Sequence, residues 1–123
     1  MKIRIGLLTL LATATIVLFT AGQIQGQSVR SATWQTSVDD SQPGVVTLGL
    51  RDKWGTMRRF TATFVVTLGR KTYRGTMSAV EDEWAYIDFP SQFRGGTPSS
   101  GSYKVVFSVK GVVVGRDRFR YRR

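Results

Sequence analysis

The 123-residue chain contains no cysteine and no histidine, only three prolines, and 8 acidic residues against 18 basic ones. Each shortage excludes something. Without cysteine there is no disulfide, no thiolate nucleophile and no lipid-modified N-terminal cysteine. Small domains of oxidising compartments often use disulfides, so this one must be held by its apolar core. Without histidine as well, Ser-His-Asp and Cys-His catalysis and imidazole or thiolate metal sites are ruled out. Gly95-Gly96 lies in a polar loop that lacks the flanking strand and the Lys-Ser/Thr of a phosphate-cradling loop. No cofactor is expected.

Long apolar runs are missing too, with one exception at the N-terminus. Lys2 and Arg4 precede an uncharged stretch from Ile5 to Gly22 that carries Leu7, Leu8, Leu10, Leu11, Ile16, Val17, Leu18 and Phe19. Small-x-small sites follow, after Gly22 or after Gly26. The pattern is that of a signal peptide over residues 1–26, which implies export to the periplasm or the extracellular space. An uncleaved anchor needs about 20 apolar residues. This run is at the short edge of that range and ends in Gln and Gly rather than basic stop-transfer residues. Membrane association is expected only if the segment is kept.

Removing Lys2 and Arg4 from the 18 basic residues leaves 16 against 8 acidic ones, a charge of +8 for residues 27–123. A charge of that size attracts anionic partners and favours solubility. Residues 27–123 are long enough for one domain with a core that needs no staples.

Period-two alternation dominates that domain, and helical periodicity is nearly absent. Seven strands are expected. Ala32, Trp34, Thr36 and Val38 mark the first, and Val46, Leu48 and Leu50 the second. The third runs from Arg59 to Leu68 with Phe60, Ala62, Phe64 and Val66 on one face. The fourth covers Lys71–Val80, the fifth Trp84–Phe89, closed by Pro90, which cannot donate to a ladder. A polar loop with Phe93 tucked beneath it leads to Tyr103–Val109 and Val112–Tyr121. A sandwich core is expected to include Trp34, Leu48, Phe60, Phe64, Tyr103, Phe107 and Phe119.

The last two strands form a hairpin across Lys110-Gly111. If Val113, Phe119 and Tyr121 all face the core, a plain two-residue loop fails, because it sets Arg116 opposite Val105. A three-residue loop pairs Phe107 with Val113 and Val105 with Gly115, and is the expected form. A bulge at Gly115 is the alternative.

Seven short strands separated by turns point to a two-sheet antiparallel sandwich. The run Gly101-Ser102-Tyr103-Lys104-Val105-Val106-Phe107-Ser108-Val109-Lys110-Gly111, followed by Asp117-Arg118-Phe119, resembles the closing hairpin of bacterial immunoglobulin-like and fibronectin-III-like domains. In those, Gly-x-Tyr opens the penultimate strand and the tyrosine anchors the corner. Phe89-Pro90-Ser91-Gln92-Phe93 would occupy the connection before it. The resemblance spans residues 89–123. It implies an immunoglobulin-like fold and no activity, since sandwiches host many functions.

Four carboxylates, Glu81, Asp82, Glu83 and Asp88, fall within eight positions. A carboxylate pair flanking a cleft can hydrolyse glycosides, and several carboxylate oxygens can hold calcium. Adjacent acids on a turn diverge, however, so a solvated turn is the expectation. Neither an enzyme nor a metal site is predicted.

The basic and aromatic residues carry more information. Alternation sets Arg116, Arg118, Arg120 and Arg122 on one face of the last strand, repeating every ~6.6–7 Å. At that spacing neighbouring charges repel by only ~0.6 kcal/mol in water, which an anionic polymer reverses. The same charges on a terminal strand also keep a sheet edge from pairing with another sheet, and that reading carries the greater weight. If Ala85, Ile87 and Phe89 face inward, Trp84 and Tyr86 project outward beside the basic strands or pack under a neighbouring loop. Trp54, in a turn after Arg51 and Lys53, is expected to be exposed.

The sequence therefore predicts a non-enzymatic, exported binding module. Its partner would be an acidic polymer, a lipid head group or an acidic protein, contacted through Arg116, Arg118, Arg120 and Arg122, with Trp54, Trp84 and Tyr86 as further contacts. A structural subunit pairing through its edge strands is the alternative. A nucleic-acid-binding barrel comes third, lowered by export.

Overall fold

A computed structural model describes residues 29–123. The expected signal segment over residues 1–26 and its expected cleavage sites lie outside the described residues. Seven strands follow in chain order: β1 Trp34–Asp39, β2 Val46–Asp52, β3 Arg59–Leu68, β4 Lys71–Val80, β5 Trp84–Phe89, β6 Gly101–Val109 and β7 Val112–Tyr121. They build two antiparallel sheets, one in the order β1-β2-β5 and one in the order β4-β3-β6-β7. The spans of β4, β5 and β7 coincide with those expected from alternation.

The inward residues of both sheets make one core, in which Leu48, Phe60, Phe64, Tyr103, Phe107 and Phe119 are all buried, as expected. Trp34 is only partly buried. It packs edge-on against Phe60 at 5.1 Å and donates its indole N–H to the Val29 carbonyl. Phe89 lies at the centre of an aromatic cluster, with Tyr73, Phe93, Tyr103, Phe119 and Tyr121 at ring-centroid distances of 5.3–5.5 Å. Edge-to-face pairs of this kind add about 0.5–1.5 kcal/mol each beyond their burial. Phe93 ties the long loop to the core, and Arg94 adds a two-bond bridge to the backbone of Arg74 on β4.

Tyr103 anchors the start of β6. Its Oη donates to the Ser99 carbonyl at 2.6 Å, while its ring stacks on Phe119 at 5.5 Å. Burial pushes the phenol pKa up, partly offset by the Ser99 bond.

The closing hairpin departs from expectation. Its turn has two residues, Lys110 (φ 51°) and Gly111 (φ 76°), with Val109 opposite Val112. Both residues are left-handed, as a two-residue hairpin turn matched to strand twist requires. The register then shifts between Ser108 and Phe107, so Val114 is an extra residue and Phe107 pairs with Gly115. This bulge moves Arg116 to the outer face opposite Val106 and lets Val113 turn outward, 44% exposed. The reason lies in the other sheet. A Cβ at Gly115 would stand 2.8 Å from Thr36 Cγ2 of β1, so the crossing strand needs glycine there.

Candidate functional site

Pairing and parity fix what each outer face presents. On the four-stranded sheet, Arg116 stands opposite Val106, Arg118 opposite Lys104 and Arg120 opposite Ser102. Across β3, Lys104 meets Thr67 and Val106 meets Val65, which in turn meets Arg74 of β4. The outer positions of β3 and β4 are otherwise Arg59, Thr61, Thr63, Thr72, Thr76, Ser78 and Val80. No carboxylate occupies an outer position in β3, β4 or β6. Threonines face threonines across the β3–β4 ladder, and Thr61 shares a 2.8 Å hydrogen bond with Ser78. Such pairs stabilise a sheet without adding charge.

Arg116, Arg118, Arg120 and Arg122 are all exposed. Among the described residues the one ion pair is Arg51–Asp82, elsewhere on the molecule. No guanidinium of the ladder is thus in an ion pair, and the two carboxylates beside it, Asp40 and Asp117, accept backbone N–H groups of Arg120 and Arg118. Arg116 and Arg118 join Thr67, Lys104 and Val106 around a shallow depression of about 590 Å³, with Asp117 at its rim. Asp117 turns back to accept the backbone N–H of Arg118. Arg122, expected on the same strand face, lies one residue beyond the end of β7 and gives one guanidinium N–H to the Ser41 carbonyl. Alternation along β7 reveals the ladder in the sequence, whereas Lys104, Arg74 and Arg59 join the face only once strand neighbours are known.

Trp84 and Tyr86 do not lie beside the basic strands. β5 pairs with β2, which places both rings on the outer face of the three-stranded sheet, across the core from the arginines. Nor do they pack under the 91–102 loop, since Tyr86 is 49% exposed. Ala85, Ile87 and Phe89 do face the core. The two outer rings are near-parallel, with centroids 5.5 Å apart, and the Arg51 guanidinium lies 5.9 Å from the Trp84 ring.

Trp54 is in a third place, the turn between β2 and β3. It is 70% exposed, with Lys53 Nζ 4.8 Å from its ring centre. Arg58, Glu81 and Asp82 share a depression of about 570 Å³ with it. The carboxylates singled out from the sequence spread apart. Asp82 pairs with Arg51 at 3.7 Å, and Asp88 accepts from the Thr47 hydroxyl at 2.8 Å on the sheet face.

Fold and surface together define a two-sheet antiparallel β-sandwich with one basic and one aromatic outer face. Compared with protein-family models, curated proteins and solved structures, the chain matches none.

Proposed function

We propose that this chain is an exported, non-enzymatic binding module, with an immunoglobulin-like or fibronectin-III-like sandwich, that contacts an acidic polymer or surface through the outer face of its four-stranded sheet. The observation that carries the reading is the ladder of Arg116, Arg118 and Arg120, none in an ion pair, on a face continued by Lys104 and Arg74, with Arg122 just beyond the end of β7. Guanidinium groups meet phosphate, sulfate or carboxylate in bidentate fashion. Repetition along a strand suits repeated anionic groups better than a single one. That face carries no aromatic side chain in its strands, which disfavours stacking on nucleobases. Support for the immunoglobulin-like assignment comes from Tyr103, whose bond back to Ser99 has the form of a tyrosine corner, and from β4 lying beside β3 in the sheet of β6 and β7. Export rests on the charge–apolar–small pattern of residues 1–26.

The competing role for the arginines, protecting an edge, is weakened by how that edge is already covered. Asp117 and Asp40 accept the outward N–H groups of Arg118 and Arg120, and Gly44 N–H donates to the Arg122 carbonyl. Pairing through an edge strand, the assembly reading, finds its best support on β4. Beyond the Arg94 bridge, the outward backbone groups of Thr76 and Ser78 have no partner among the described residues.

Binding of the protein to immobilised dextran sulfate, polyphosphate and anionic lipid vesicles tests the reading. Retention on at least one that falls as salt is raised to 0.15 M, where screening acts beyond about 8 Å, is expected. Oligomers that persist at every salt concentration, without anion binding, would favour assembly instead.

A further inference from the structure

The outer face of the three-stranded sheet has a chemistry unlike that of the basic face. Its register places Gln35, Arg51 and Trp84 in one row, Ser37, Gly49 and Tyr86 in the next, and Asp39, Thr47 and Asp88 in the third. Gly49 is the key to the local geometry. A Cβ there would lie 2.8 Å from Tyr86 Cε1 and 3.1 Å from Trp84 Cε3, so both rings lean over β2 into space that only glycine leaves. Tyr86 is the open member of the pair. Trp84 is partly covered and has Arg51 beside it, whereas Tyr86 is half exposed and, among the described residues, touches no cation.

The one cation of this face is committed within the protein. Arg51 donates its Nε–H to the Asp82 carbonyl at 2.6 Å and pairs with the Asp82 carboxylate. Asp88 accepts from Thr47, and Asp39 accepts from the Ser41 hydroxyl at 2.6 Å, which holds its carboxyl below the usual range. An anionic ligand would therefore find no uncommitted cation here, and would meet the carboxylates of Asp39 and Asp88 instead. The centre of a protein interface is depleted in aspartate, whereas Asp39 and Asp88 stand on this face. No Leu, Ile, Val or Met occupies an outer position of β1, β2 or β5. What remains is one exposed aromatic ring bordered by an amide, hydroxyls and carboxylates. A pyranose presents the complementary surface, with C–H groups on one ring face and hydroxyls around its rim.

The geometry points to a second binding site on this face, for a neutral saccharide, with Tyr86 as the stacking platform, Trp84 holding it in place, and Gln35, Ser37 and Asp88 within its hydroxyl-binding border. The site is independent of the basic face and lies across the core from it.

Isothermal titration of the full chain with neutral hexasaccharides of glucose, N-acetylglucosamine and mannose tests this. At least one should bind saturably, with little dependence on salt. Tyr86→Ala should weaken that binding roughly tenfold or more, as for loss of an aromatic anchor. Tyr86→Phe, which keeps the ring, should hold it within a few-fold, so a loss confined to alanine is not a folding defect. Gly49→Ala should weaken it by displacing the rings, while replacement of the four ladder arginines by Gln should leave it unchanged. Absence of saturable binding to all three sugars would overturn the proposal. So would binding that survives Tyr86→Ala or disappears with the arginines, the latter assigning the glycan to the basic face.

Discussion

At Tyr103 a single hydroxyl joins the last long loop to the core, and its removal has a defined consequence. Tyr103→Phe keeps the ring stacked on Phe119 but deletes the bond to Ser99. The Ser99 carbonyl can turn to water, so the loss should be about 1 kcal/mol, the ordinary net worth of such a bond. Denaturant midpoints measure it. The same residue gives an alkaline signature. Its folded pKa is raised above the ordinary 10.0, so the unfolded chain loses the proton first. The contribution is fully present below about pH 10 and declines as pH rises through the folded value. Tyr103→Phe should therefore flatten the alkaline limb of the stability profile. An unchanged limb would show that the phenol is not protected. At Phe64, wholly buried and edge-on to Phe107 at 5.5 Å, truncation to alanine should cost about 3–5 kcal/mol. An unfolding midpoint equal to that of the parent would contradict the core described above.

Among the elements, β7 shows best what alternation reveals and where it stops. Its span and the inward direction of Phe119 and Tyr121 are readable from the sequence, because apolar residues at every second position need a buried face. The register near the turn is not. It depends on β1 crossing over Gly115, a contact between residues far apart in the chain that belongs to the other sheet. With that contact unknown, a three-residue loop satisfies the same parity as the bulge at Val114. The site divides in the same way. The arginine ladder follows from one strand's alternation, but the position of Trp84 and Tyr86 depends on β5 choosing β2 as its neighbour, which no local pattern specifies.

The hairpin turn yields a prediction of its own. Lys110 occupies a left-handed position at φ 51°, where asparagine is better tolerated. Lys110→Asn should raise stability by a few tenths of a kcal/mol to about 1 kcal/mol, whereas Gly111→Ala should lower it by about 1–2 kcal/mol. Thermal or denaturant melts of the pair check both signs. A second concerns the β7 edge. Replacing Asp40 and Asp117 by alanine frees the outward N–H groups of Arg118 and Arg120. Exposed strand edges recruit other chains, so this double variant should self-associate more readily in light scattering, and a strictly monomeric variant would show that the caps are dispensable.

Over the whole molecule, the two sheets hold a shared core and divide the surface between them. The four-stranded sheet gathers arginine and lysine among hydroxyls. The three-stranded sheet carries paired aromatics beside a cation already paired and carboxylates held by hydroxyls. A formal charge of +8 on residues 27–123 would attract anions wherever its cations lay. The proposed function claims more, namely that affinity belongs to the ladder. The most direct measurement compares two variants of equal charge for binding to dextran sulfate at 0.05 and 0.15 M salt. One carries Gln at Arg116, Arg118, Arg120 and Arg122. The other carries Gln at Arg30, Lys53, Arg58 and Arg70, which lie outside the strands. The ladder variant should lose roughly tenfold or more in affinity and most of its salt dependence, while the other variant stays within a few-fold of the parent. Equal losses in the two variants would contradict the account, because they would show that net charge alone, and no built face, holds the polymer.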